Sequence, residues 1–173
     1  MAILTHLTST KSEMVQALNR WWDAARGAKD TPDRAQLDPA DIKALLPFIL
    51  LSEVEADPFR VRYRLVGTRA VNKVGFDYTG GYLDALWPAA DVAPWVEAYR
   101  MAFESRALLL GAATDRLVAG GTFTYEFGIF PLSRGGHAVE QFIAVEDYFG
   151  SELQSAEWLR SRGMLPGAAY LHG

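Results

Sequence analysis

The sequence predicts an α+β fold in which a five-stranded antiparallel sheet carries helices on one face, behind an N-terminal helical extension. Helical spacing of apolar residues marks the stretches 14–25 and 91–103. Alternating segments, which are typical of strands, group before and after that second helix. This order indicates an extension over 1–35, a single domain over 36–150, and a tail over 151–173 in which a short helix is expected.

The first helix is predicted from a capping-box pattern that runs from Thr10 to Glu13, followed by apolar residues on one helical face. Two adjacent tryptophans on a leading helix must be covered, either by the parent domain or by a second copy of the chain. We therefore expect a homodimer or partner contact that includes Met14, Leu18, Trp21 and Trp22.

The elements of the domain follow from local patterns. Asp38 and Pro39 suit the start of a short helix, and Pro47 is expected to end it. Pairs of glycines between alternating runs predict hairpins, because such turns need a positive φ. Strands are predicted over 49–55, 60–66, 107–117, 122–132 and 137–149, and further helices over 69–74 and 91–103.

Composition excludes several classes of protein. The 17 basic and 21 acidic side chains leave a net charge of −4, which argues against nucleic-acid or anionic-membrane partners. There is no cysteine, so disulfides, thiolate metal sites and catalytic thiols are excluded. The longest apolar run, 44–51, is less than half the ~20 residues of a membrane span. We therefore expect a cytoplasmic protein.

No catalytic or metal site is predicted. The three histidines are dispersed, and the common nucleophile, zinc and phosphate-loop motifs are missing. A cavity isomerase would need an inward carboxylate. Only Asp84, Asp115 or Glu126 could serve in that role, and the sequence pattern places none of them inward.

Three short motifs carry a family resemblance: Arg34-x-x-Leu37-Asp38-Pro39-x-Asp41-Ile42, Tyr63-Arg-Leu-Val-Gly67-Thr68 and Gly75-x-Asp77-x-Thr79-Gly80. Together with the element order, they resemble a bacterial family of stand-alone PAS-like proteins over roughly residues 12–150. The resemblance implies a sensory module that holds a ligand between the sheet and the helices. It implies neither a cysteine-linked flavin nor a helix-histidine haem, since the chain lacks cysteine and residues 68–88 lack histidine.

Gln141 is the most informative position for a ligand. On the last strand, residues 139, 141, 143 and 145 share one face, and the opposite face holds Glu140 and Glu146, which predicts that Gln141 turns inward. A buried amide needs a partner, which is a backbone or tyrosine group, a bound water, or a bound ligand. The cavity residues predicted on this basis are Tyr63, Phe76, Tyr82, Trp87, Tyr99, Phe103, Phe123, Tyr125, Phe127, Gln141 and Ile143. A filled aromatic core is the alternative.

The sequence thus predicts a sensory or signalling module without its own output domain or enzymatic activity. It would bind a small organic ligand, a signalling protein partner, or both, and act through that partner or through dimerisation. A cavity enzyme of the isomerase type and a purely structural interaction domain are the alternatives.

Overall fold

The computed structural model describes residues 3–116, 122–135 and 138–148. They form one six-stranded sheet in the order β1-β4-β5-β6-β2-β3, in which all neighbouring strands are antiparallel. The strands are β1 (Ile3–Leu7), β2 (Ile49–Ala56), β3 (Phe59–Val66), β4 (Leu109–Arg116), β5 (Thr122–Arg134) and β6 (Ala138–Asp147). The α+β class and the final three-strand meander are confirmed, but the predicted number of five strands is wrong.

The additional strand is β1, which pairs with β4 from Ile3↔Thr114 to Leu7↔Leu110. Its five residues lie at the edge of the sheet and are mostly exposed. Such a segment carries little alternation of its own, and its stability comes from hydrogen bonds to a strand about a hundred residues away. The N-terminal segment is therefore built into the sheet instead of being wholly helical.

The helices differ from prediction mainly at their starts. The α-helices are α1 (Glu13–Arg26), α2 (Thr68–Val74), α3 (Leu83–Leu86) and α4 (Ala89–Ser105), with 3-10 turns over Arg34–Gln36 and Lys43–Phe48. Ser12 caps α1 by accepting a hydrogen bond from the Val15 amide at 3.2 Å. The expected cap, Thr10, instead donates its hydroxyl proton to the Glu126 carboxylate on β5.

The short helix expected between Asp38 and Pro47 does not form as predicted. The Asp38 carboxylate accepts a hydrogen bond from the Ala40 amide at 2.8 Å, which makes a local turn that competes with a helix. The helical residues that follow form a 3-10 turn that contains Pro47 instead of ending before it. Short 3-10 segments are common connectors, and the chain enters β2 directly from this one.

Both faces of the sheet are covered, whereas helices were predicted on one face only. We call the face under α1 the packed face; its buried residues are Val15, Leu18, Trp22, Leu37, Ile42, Leu45, Ile49, Leu110, Phe130, Leu132, Ile143 and Val145. We call the face under α2, α3 and α4 the cavity face; its sheet residues include Val61, Tyr63, Phe123, Tyr125, Phe127, Ile129, Phe142, Ala144 and Tyr148.

The tryptophan helix packs mainly on its own domain. Leu18 is fully buried and Trp22 is 3% exposed, within the packed face. The Trp22 indole donates a hydrogen bond to the Pro131 carbonyl at 2.8 Å, and its ring lies 6.3 Å from that of Phe130. The prediction that Leu18 and Trp22 form a dimer contact is therefore wrong, because the chain itself buries both. Met14 and Trp21 remain partly exposed.

Some predictions fall outside the described residues. The Gly120-Gly121 turn, Gly136, His137 and the whole tail over 151–173, with its expected helix, belong to this group. Within the described ranges, no helix is long and apolar enough to cross a membrane. The same ranges contain no cluster of histidine and carboxylate side chains suited to a metal ion.

Candidate ligand-binding site

A cavity of about 180 Å³ lies between the cavity face of the sheet and the helices α2, α3 and α4. Pockets for drug-sized ligands are larger, about 300–1,000 Å³, whereas an apolar cavity of about 150 Å³ admits benzene. The space therefore suits a ligand of roughly one ring. Its lining consists of Tyr63, Lys73, Val74, Tyr78, Leu83, Trp87, Asp91, Val92, Trp95, Asp115, Tyr125, Glu146 and Tyr148.

Glu146, near the end of β6, is the most perturbed acid of the site. Burial raises the pKa of its carboxyl from 4.5 to about 7, the neighbouring Asp115 adds to this rise, and Lys73 opposes it. Within the described part of the chain, the carboxyl group has no hydrogen bond or ion pair. Its remaining accessible surface borders the cavity, so Glu146 is available to a bound molecule.

Lys73 is the cation of the cavity and projects from α2. Its Nζ lies 3.2 Å from Oδ2 of Asp115 on β4, and both side chains are largely buried. The same ammonium lies 3.9 Å from the ring centroid of Tyr125 and 4.3 Å from that of Tyr148. Lys73 is thus held by one carboxylate and two aromatic faces, an arrangement that stabilises a desolvated ammonium.

Aromatic rings form most of the remaining wall. Tyr63 and Tyr78 meet edge to face with centroids 4.9 Å apart, and Tyr78 meets Trp87 in the same way at 5.4 Å. Burial raises the pKa of both tyrosine hydroxyls well above its usual value, so they stay protonated at neutral pH. The wall therefore offers apolar surface, ring faces and phenolic hydrogen-bond donors.

The structure brings only part of the predicted ligand set to the cavity. Tyr63, Trp87 and Tyr125 line it. Phe123, Phe127 and Tyr99 lie in the same core but do not line the cavity, and Phe76 and Phe103 are partly buried against that core. Tyr82 lies at the surface, where its ring faces the Arg60 guanidinium at 3.8 Å and its hydroxyl donates to Glu55 at 2.6 Å.

Gln141 and Ile143 face the other side of the sheet. Gln141 pairs with Leu132 and Ile143 belongs to the same buried cluster as Leu132, so both side chains lie on the packed face. Gln141 is buried, as its position on the strand predicted, but it lies on the face opposite the cavity, so the expectation that it contacts a ligand there is wrong. Since both faces of β6 are covered, the carboxylates on the alternate face did not mark a solvent-exposed side.

Asp115 and Glu146 reverse the sequence prediction, which placed both carboxylates outward. Glu146 alternates with Phe142 and Ala144 on the cavity face, and Asp115 pairs across the sheet with Phe123. The sequence did indicate that both faces of β6 are buried, because residues 142–145 form a continuous apolar run, which is typical of a strand buried on both sides. The sequence analysis did not predict the other lining residues, such as Lys73, because no local pattern shows that they meet at one cavity.

The sequence matches a family model that is described as a PAS domain, over residues 10–145. The chain belongs to the PAS domain family. PAS domains are in general sensory and signalling modules without enzymatic activity of their own. A comparison with curated proteins gave no match.

Solved structures were compared with the fold as well. The chain is similar to an RNA-binding Light-Oxygen-Voltage receptor, with 12% identity, a TM-score of 0.50, and coverage of 95% of this chain and 43% of that one. The chain thus spans less than half the length of that receptor. It is also similar to a domain of an HTR-like protein from Haloarcula marismortui ATCC 43049, with 16% identity, a TM-score of 0.40, and coverage of 57% of this chain and 94% of that one.

Proposed function

We propose that this PAS domain is a cytoplasmic sensory module whose stimulus is a small organic ligand bound in the cavity between the sheet and α2, α3 and α4. The observation that carries the proposal is the cavity itself. Its wall is rich in aromatic side chains, and Glu146 borders it as a carboxyl group without a hydrogen bond or ion pair in the described chain. A few polar groups in an apolar wall are the usual composition of a ligand site.

Ligand binding would be transmitted through the helices that border the cavity, by a change in how they pack. A ligand that touches Lys73 on α2 and Trp95 on α4 contacts two separate helices that border the cavity. A ligand can shift their packing only by as much as its affinities for the two arrangements differ. A signalling protein partner would read that shift, either directly or through dimerisation at the partly exposed Met14 and Trp21.

Native mass spectrometry of the gently purified protein tests the proposal. We expect a mass above the denatured mass, or an adduct after incubation with a bacterial small-molecule extract. Val92→Phe adds volume to a cavity residue and should remove the adduct, whereas Met101→Phe on the exposed side of α4 should keep it. A bare mass under all conditions would contradict the proposal and favour an interaction domain without a ligand.

A cavity enzyme is the second candidate, and Glu146 is the observation that favours it. A carboxylate with a pKa of about 7 beside an apolar cavity can remove a proton next to a carbonyl group and return it at another carbon, which is an isomerisation. Exchange of α-hydrogens of small ketones in D₂O, followed by NMR, would reveal such chemistry. An exchange rate equal to that with Glu146→Gln would contradict the candidate.

A further inference from the structure

The cavity wall holds more negative than positive groups. Three carboxyl groups face it, Asp91 from α4, Asp115 from β4 and Glu146 from β6, and the only ammonium among the described lining residues is Lys73 from α2. Asp115 is paired with that ammonium at 3.2 Å. Glu146 is left without an ion pair in the described structure, so the lining has an acidic excess.

The same wall already binds one ammonium group. The Nζ of Lys73 lies 3.9 Å and 4.3 Å from the ring centroids of Tyr125 and Tyr148, well within the distance of about 6 Å at which ring faces attract a cation. Four more aromatic residues, Tyr63, Tyr78, Trp87 and Trp95, line the cavity beyond these two rings. A second cation could therefore be surrounded by ring faces in the same way.

The other charge classes fit less well. An anion would have to separate Lys73 from Asp115 and would then lie among the carboxyl groups of Glu146 and Asp91. A neutral ligand offers no counter-charge, so the buried Glu146 carboxyl would gain nothing from ionising beside it and would favour its protonated form. A cation supplies that counter-charge.

We propose that the ligand is a small organic cation of the alkylammonium type, with the Glu146 carboxylate as its counter-charge and the aromatic lining as its cage. The inference rests on the proposed function, since it names the chemistry of the ligand in that cavity. A volume of about 180 Å³ limits the ligand to a few carbon atoms around the charged nitrogen or to one ring.

Binding of a cation must be linked to the protonation of Glu146. Burial raises the pKa of this carboxyl to about 7, so near neutral pH a cation selects the ionised form and releases a proton. Lys73, Asp115 and Asp91 are the other charged groups on the lining. The affinity for a permanently charged cation should therefore tighten about tenfold between pH 6 and pH 8, following the ionised fraction of Glu146.

Calorimetric titration with choline, compared with its neutral isostere 3,3-dimethylbutan-1-ol, provides the test. Choline keeps its charge at every pH, and the two molecules have nearly the same shape. We expect choline to bind at least about tenfold more tightly than the alcohol at pH 8, with proton release that appears as a dependence of the binding enthalpy on the buffer.

Two variants assign the effect to one residue. Glu146→Gln should weaken choline binding about tenfold or more at pH 8 and remove its pH dependence. Glu140→Gln lies on the same strand, but its side chain is 46% exposed and pairs with Arg134, so this variant should bind choline like the parent. If Glu146→Gln does not fold, the comparison of the two probes and the pH series on the parent protein still decide the question.

The outcomes separate this inference from the proposed function. Equal, pH-independent affinity for choline and the alcohol would overturn the cation class but leave a ligand cavity in place. An absence of choline binding at millimolar concentration would also overturn the cation class, and native mass spectrometry then judges the cavity separately. If Val92→Phe leaves choline binding unchanged, choline binds outside the cavity, and the inference is overturned.

Discussion

The two faces of the sheet both carry large apolar side chains, but they pack them in different ways. On the packed face, Phe130, Leu132 and Ile143 are fully buried against α1 and the turns that follow it. On the cavity face, aromatic rings surround a space of about 180 Å³ that Lys73 and Glu146 border with charged groups. The first arrangement fills the volume between its elements, and the second leaves part of it open.

The difference shows how the stability of the fold and the ligand site are separated. Close packing under α1 supplies stability through apolar burial and dispersion contacts. The cavity face gives up part of that packing and holds a buried carboxyl group, which is unfavourable unless a ligand compensates. Substitutions on the packed face should therefore affect stability, and substitutions at the cavity should affect pH dependence and binding.

The largest change in stability is expected from Trp22, the buried member of the two adjacent tryptophans. Trp22→Ala removes a 3% exposed ring and its hydrogen bond to the Pro131 carbonyl, so the free energy of unfolding should fall by about 3–5 kcal/mol. Trp21→Ala, which removes a partly exposed ring, is the matched control and should cost far less. Urea denaturation followed by circular dichroism measures both values, and equal losses would contradict the division of α1 into a buried and an exposed side.

Glu146→Gln should stabilise the protein at neutral to basic pH. Between its ordinary pKa of 4.5 and its folded value of about 7, the folded carboxyl holds a proton that the unfolded chain has lost. The free energy of unfolding of the parent therefore falls as pH rises through this window, by up to about 3 kcal/mol above pH 7.

The amide that this substitution introduces does not titrate, so the stability gap between variant and parent should open from pH 4.5 to pH 7 and vanish below it. Denaturant midpoints at a series of pH values measure the gap. Glu140→Gln, at an exposed site on the same strand, is the control and should show no such window. A gap that does not change with pH would contradict the burial of the Glu146 carboxyl.

Gln141→Leu should stabilise the packed face by about 1 kcal/mol, because the Gln141 amide oxygen is buried there without a hydrogen-bond partner in the described structure. Thermal unfolding measures this change. Ligand binding should remain that of the parent, since Gln141 lies on the face opposite the cavity. Loss of binding without loss of stability would reverse our assignment of the two faces.

The smallest effects concern the charges around Glu146. Lys73→Met removes the cation that lowers the pKa of the Glu146 carboxyl, so this pKa should rise further. Asp115→Asn removes a carboxylate that raises the same pKa, so it should fall. Both shifts should be smaller than the shift caused by burial, which is the main cause. Carbon-detected NMR titration of the carboxyl group measures them, and shifts in the same direction would contradict the arrangement.

The sequence by itself determined the elements with strong local periodicity. The aromatic alternation from Phe123 to Ile129 predicted one face of β5 correctly, because a strand places every second side chain on the same side. The alternating runs and the apolar spacing over 91–103 were sufficient to predict the meander and the helix before it. The family motifs between Arg34 and Gly80 predicted the PAS fold that the family match confirms.

Only the tertiary structure decided which face of each strand carries the site. β6 is covered on both sides, so its charged residues did not mark an exposed face. Glu146 lines the cavity, whereas Gln141 lies on the packed face. β1 depends on hydrogen bonds to β4, and Lys73 meets Asp115 and two tyrosines from distant parts of the chain. Local sequence specifies periodicity, whereas long-range pairing and packing specify what each face meets, and the candidate site is made of such long-range contacts.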